Sequence, residues 1–220
     1  VLCLGENSYA ESPGVIDDLT LDKYQLLLAE EAIKSGVPVV LVLTQGRPRI
    51  INSIVDDIDG IVLAYQPGSQ GGNAIADVLF GEYNPSGILP YSYPRFTGDI
   101  MHYDYKFSSS IQQRKPGKIT YDGYNPQWPF GFGLSYTNFQ IDSLTPSTQA
   151  LKEGDTLIIS TIISNTGMIQ GAKSIDLFIS DEYASISPHN KKLKSFTKID
   201  LDAGESKALS FLLTTDDFTY

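Results

Sequence analysis

Cysteine is nearly absent. Cys3 is the only one in 220 residues, so no disulfide can form within the chain and the redox compartment is left open. Its place in the apolar run Val1-Leu2-Cys3-Leu4 predicts buried packing rather than a reactive thiol. Basic residues are outnumbered: 16 Lys and Arg face 26 Asp and Glu, a formal net charge of −10. That balance argues against nucleic acid or an anionic membrane as a partner, since both need a basic face. No apolar run approaches the length of a membrane span. The two histidines, His102 and His189, stand apart from any Cys or second His, so neither a metal site nor a cofactor is implied. The chain starts in mid-strand without Met, which predicts that the natural amino terminus lies elsewhere.

Apolar residues, 41% of the total, suffice for a packed core. The first half alternates strand and helix patterns. Val1–Leu4 reads as a strand buried on both faces, ending at Gly5 and Glu6. A helix follows to about Ser35, with Leu26, Ala29 and Ile33 on one face, a Glu30–Lys34 pair and Gly36 as terminator. Val37–Leu43 is the next strand, Pro48–Asp56 a second helix, and Gly60–Ala64 a third strand. The helix Gly72–Phe80 completes the series, with Ala74, Ile75, Val78 and Leu79 inward. This order predicts a mostly parallel sheet with right-handed crossovers. In such sheets ligands gather at the carboxyl ends of strands, where Glu6 stands. Burial beside an apolar strand end would raise its pKa and suit it to donate a proton. The plain alternative is a polar residue opening a loop.

The Gly-rich turn Gln66–Gly72 precedes a helix but lacks the Lys-Ser/Thr of a P-loop and the dinucleotide glycine spacing, so its glycines read as tight-turn residues. From Arg95 to Gln127 periodicity is lost. Tyr103, Tyr105, Phe107, Tyr121 and Tyr124 there suit either sugar stacking, a partner contact, or a meander pinned by its aromatics. Trp128–Thr137, dense in rings and glycine, reads as a seam between domains. Beyond it the period changes to two: Asp155–Ser164, Ile175/Leu177/Ile179 and Leu209/Phe211/Leu213 alternate with polar residues. Asn165-Thr166-Gly167 and Asp202–Glu205 are turn signals, and Asp216 and Asp217 a solvated turn. An all-β sandwich of immunoglobulin or fibronectin type follows.

Several stretches taken in order carry a resemblance. They are Gly5-Glu6-Asn7-Ser8-Tyr9-Ala10-Glu11, Thr44–Pro48, Gly71–Gly81, Asn84–Pro90, Phe130–Thr137, Lys192–Phe196 and Ala203–Ser206. Together the chain resembles the carboxyl-terminal part of a glycoside hydrolase family 3 enzyme, the β-glucosidase and glucan exohydrolase group. The resemblance implies an α/β sandwich domain over 1–95 that is incomplete at its N-terminal side, a long aromatic loop and seam over 96–138, and a fibronectin type III-like sandwich over 139–220. It implies retaining hydrolysis of β-linked glucosides or oligosaccharides, with an Asp nucleophile on a barrel domain outside this chain. The general acid/base would be Glu6, with Glu11 of the same loop as second choice; the substrate-binding residues are left open, with Asn7 and Tyr9 of the loop as candidates. Asp17 and Asp18 gain no role from it. The missing barrel is the implied partner, a homodimer is left open, and family members are typically secreted or periplasmic. β-Xylosidase or arabinofuranosidase activity is the near alternative. A non-catalytic carbohydrate-binding or assembly module is the alternative of another class.

Overall fold

In a computed structural model the described residues are 1–7, 16–99, 102–105, 124–181, 183–184, 186 and 189–218. They fall into two compact units. The first holds the described residues of Val1–Phe80, Tyr91–His102 and the stretch ending at Phe130; the second holds those of Gly81–Pro90, Tyr103–Gln112 and Gly131–Tyr220.

The first unit is an α/β layer. Strands β1 (Leu2–Gly5), β2 (Val40–Thr44) and β3 (Gly60–Leu63) pair in parallel in the order β1-β2-β3. Helix α1 (Lys23–Lys34) joins β1 to β2, and α2 (Gly71–Phe80) follows β3. The central strand is the most buried, as its β-branched and leucine run requires: Leu41, Val42 and Leu43 are at most 1% exposed. Ala29 of α1 packs with Leu4, Leu21, Ile51 and Ile54 into one core, against which Leu26 and Ile33 lean at helical spacing. Asp22 caps α1, its carboxylate accepting from the Tyr24 and Gln25 amides.

Four expectations for this unit are corrected. Strand β1 has one neighbour among the described residues, so only Leu4 is buried and Cys3 is exposed. The helix expected over Pro48–Asp56 is replaced by an extended stretch and one 3₁₀ turn, Val55–Asp57. Its β-branched isoleucines account for that: Ile50 bridges Thr20 in parallel, while Ile51 and Ile54 are buried in the core. Lys34 pairs with Glu31 at 2.7 Å rather than with Glu30. Ala74 of α2 faces outward, leaving Ile75, Val78 and Leu79 as its half-buried side.

The second unit is antiparallel. Strand β6 (Thr156–Asn165) pairs with β4 (Phe139–Ile141), β5 (Thr145–Pro146) and β9 (Ser206–Thr214). Strands β7 (Gly171–Ile179) and β8 (Lys192–Leu201) form a second sheet, with a bulge at Leu177/Phe178. The predicted period-two pattern places the inward residues: Leu157, Ile163, Ile175, Leu177, Leu201, Phe211 and Leu213 form the core. The turn at Asp202–Glu205 uses Gly204 at φ 75° and connects the two sheets. Asp216 and Asp217 lie in a short 3₁₀ turn, where Asp217 accepts from the Thr214 amide at 2.8 Å.

Candidate active site

The carboxyl ends of β1 and β2 come together through a glycine. A Cβ on Gly5 would collide with the Thr44 carbonyl, so only Gly lets the strands close here. The backbone amide of Glu6 then donates to that carbonyl at 3.0 Å. From α1, Gln25 clasps Gly5 on both sides: its Oε1 accepts from the Gly5 amide at 2.8 Å and its Nε2 donates to the Gly5 carbonyl at 2.9 Å.

The Glu6 side chain turns inward and is 3% exposed. Its Oε1 meets the Nε atoms of Arg47 and Arg49 at 3.0 and 2.9 Å. The NH2 atoms of the same residues lie 2.9 and 2.8 Å from it. Its Oε2 accepts from the Gly46 and Arg47 amides at 3.1 and 3.2 Å. Both carboxylate oxygens are therefore committed. Burial by itself would push this carboxyl up. The hydrogen bonds from Arg47, with the charges of Arg49 and Arg47, outweigh burial and hold it below its ordinary value. The expected upward shift is thus reversed in sign, because desolvation here is accompanied by two guanidinium groups.

Arg49 has a second duty. Its NH1 donates to the carbonyls of Asp18 at 2.9 Å and Thr20 at 3.5 Å, so one guanidinium spans residue 6 and the returning end of the same loop. That end is also paired by backbone: Ile50 N donates to Leu19 O at 2.9 Å and Leu21 N to Ile50 O at 3.1 Å. Beneath it, the Tyr93 hydroxyl donates to the Arg49 carbonyl at 2.6 Å and accepts from Gln45 Nε2 at 2.7 Å. Tyr93 is fully buried edge-on against Trp128, and burial pushes its phenol up to about 12. At the end of β3, Tyr65 sits in the left-handed region at φ 52°, a costly conformation for a side chain of that size.

A cleft of about 650 Å³ opens at this corner, lined among others by Glu6, Asn7, Asp18, Asp22, Lys23 and Arg49. Among the described residues that line it, the carboxylates are occupied: Glu6 by the arginines, Asp22 by the helix cap, and Asp18 by the Thr20 amide at 2.8 Å. Asn7 is at the rim. Tyr9 and Glu11 lie outside the described residues, as do Phe107 and Tyr121 of the aromatic stretch. Among the described residues, no group of three or more His, Cys, Asp or Glu could hold a metal, and no helix is long and apolar enough to cross a membrane. His189 pairs instead with Asp104 at 2.8 Å. Sequence reasoning missed Arg49, Gln25 and Tyr93. The signal available was Arg47-Pro48-Arg49, two cations alternating directly after a buried strand.

Comparison with known proteins bears on this geometry. Residues 1–136 match the glycosyl hydrolase family 3 C-terminal domain and residues 174–220 the fibronectin type III-like domain. A periplasmic beta-glucosidase of Salmonella typhimurium is 40% identical over 88% of this chain, and a beta-xylosidase of Formosa agariphila 36% identical over 91%. The chain spans 26% and 28% of those proteins, little more than a quarter of their length. The crystal structure of a beta-glucosidase from Listeria innocua in complex with glucose superposes with a TM-score of 0.87 at 34% identity, covering 99% of this chain and 31% of that one. An α/β unit with parallel strands, an antiparallel sandwich and these matches in the same order lead to one assignment: the chain belongs to glycoside hydrolase family 3.

Proposed function

We propose that the protein containing this chain is a retaining, exo-acting β-glycosidase acting on terminal β-D-glucosyl residues, and that the loop between Glu6 and Asp18 supplies its general acid/base. The nucleophile, an Asp by family resemblance, belongs to a barrel domain outside this chain. The reading is supported by the β-glucosidases among the relatives and by the loop's place at the carboxyl end of a parallel strand.

Within the loop the two carboxylates have different tasks. A proton donor must hold its proton near working pH and reach the leaving oxygen. Glu6 meets neither condition, being 3% exposed and ion-paired to two arginines. This single observation supports giving the donor role to Glu11, the other glutamate of the loop, and the role of anchor to Glu6. Glu11 then protonates the glycosidic oxygen while the barrel Asp attacks the anomeric carbon and the aglycone departs. In the second half Glu11, now ionised, takes a proton from the water that displaces the Asp and releases the sugar. Such proton transfer contributes about 10²–10⁴ in rate.

The sugar is the less constrained part of the proposal. The β-xylosidase relative makes xylosides the near alternative to glucosides. The periplasmic relative supports a secreted or periplasmic site of action, which cell fractionation tests. The mechanistic test is Glu11→Ala beside Glu6→Gln in the full-length enzyme. With Glu11→Ala, kcat/KM on cellobiose is expected to fall about 10²–10⁴-fold, while 2,4-dinitrophenyl β-glucoside changes little and azide restores turnover as the glucosyl azide. If Glu6→Gln shows that pattern and Glu11→Ala does not, the donor is Glu6 and the division of labour proposed here is overturned.

A further inference from the structure

We infer that Arg49 is a positioning residue for catalysis, closing the base of the loop that carries the proton donor; this rests on the donor reading above. The connection from β1 to α1 leaves the sheet at Glu6 and returns at Asp18. A connection of that length can place a side chain reproducibly only if its two ends are fixed relative to each other. One guanidinium does this. Arg49 Nε and NH2 bind the Glu6 carboxylate on the outgoing end at 2.9 and 2.8 Å. Its NH1 binds the Asp18 carbonyl on the returning end at 2.9 Å. All three nitrogens of a planar, always-charged group are thus used, in a fork that a lysine's single ammonium cannot copy.

The surroundings keep that guanidinium in place. Its side chain is only 18% exposed. Its main chain is tied on both sides, since its carbonyl accepts from the buried Tyr93 hydroxyl and the next residue, Ile50, pairs with Leu19 and Leu21. Arg47 grips Glu6 with backbone and side chain, and Gln25 clasps Gly5, so both add to the hold on the outgoing end.

The test uses Arg49→Gln and Arg49→Lys in the full-length enzyme, beside Glu11→Ala. With Arg49→Gln, kcat/KM on cellobiose is expected to drop about 10²-fold, while 2,4-dinitrophenyl β-glucoside, which needs no proton at departure, changes less than about threefold. Arg49→Lys keeps a charge near Glu6 but not the span, and is expected to recover only part of the loss. Amide exchange of peptides covering residues 7–17 should speed up at least about tenfold in both variants, with peptides from the sandwich unaltered. A merely structural role would lower both substrates equally through loss of folded enzyme. That equal loss, or unchanged exchange with parental rates, overturns the inference; where Arg49→Gln is poorly produced, Arg49→Lys decides. If Glu11→Ala itself shows no difference between the substrates, the donor reading fails, and the exchange result still judges whether Arg49 holds the loop.

Discussion

The two units bury polar groups in different ways. In the α/β unit the interior polar cluster is charged: one carboxylate, 3% exposed, is enclosed by two guanidinium groups at strand ends. In the sandwich the buried polar cluster is neutral and closed. Asn165, 1% exposed, accepts from Thr137 Oγ1 at 2.7 Å and the Gly167 amide at 3.1 Å, and donates to the Ile169 and Leu201 carbonyls at 2.8 and 3.2 Å. A neutral amide with four partners fixes a fold and leaves no group over for chemistry. An ion cluster beside a strand end costs desolvation, and it supports charges that a neighbouring loop can be built around. Parallel pairing accounts for the contrast, because all strand ends of one polarity lie along one edge, whereas antiparallel strands divide theirs between two edges.

The sharpest break of this comparison is functional. Glu11→Ala should lower kcat/KM on cellobiose by about 10²–10⁴ yet leave the melting temperature within about a degree or two, since the proposed role of this side chain is to act on substrate and not to hold the fold. Next come the cores. Leu41→Ala in the first unit and Phe211→Ala in the second should each cost about 2–5 kcal/mol in a denaturant melt, as both side chains are almost fully buried.

Glu6→Gln should cost about 3 kcal/mol, the low end for a broken buried pair, because its arginines are 26% and 18% exposed. Its pH dependence has a definite sign. The folded-state pKa is lowered, so on acidification the unfolded chain takes up the proton first. The stabilisation is complete above the ordinary value of 4.5 and is lost as pH falls through the folded value. Melts of parent and variant should therefore differ most at neutral pH and converge in acid.

Asn165→Ala should cost about 1–3 kcal/mol with no change in the pH profile of the melt, which would separate the neutral cluster from the charged one. The smallest effect belongs to the outer face of the sandwich. The cross-strand pair Ser160–Ser210, 2.9 Å apart and exposed, can become Ala–Ser with a change within about 0.5 kcal/mol.

Much of the architecture was legible in the sequence. The three apolar runs of the first unit, the inward faces of β6, β7 and β9 and the turn at Asp202–Glu205 follow from period and turn chemistry. What failed did so for tertiary reasons. Cys3 lies on a strand with one neighbour among the described residues, and the number of neighbours a strand gains leaves no mark in a four-residue apolar run. The segment after Pro48 has helix-like spacing, but the pairing of Ile50 with residues 19 to 21 draws it out as a strand would. The place of Glu6 directly after a parallel strand was legible and its electrostatics were not. The sign of its pKa depends on Arg47 and Arg49, about forty positions away in sequence, and no local pattern reveals that they fold onto it.

The Arg47-Pro48-Arg49 spacing has an evolutionary corollary. Two guanidinium groups separated by a single residue both reach one carboxylate, and the intervening proline narrows the conformations that the tripeptide samples before folding. An insertion or deletion there would swing one cation off its anion, whereas an exchange of side chain at position 48 would not. Length in this short stretch should therefore drift more slowly among descendants of this chain than composition does.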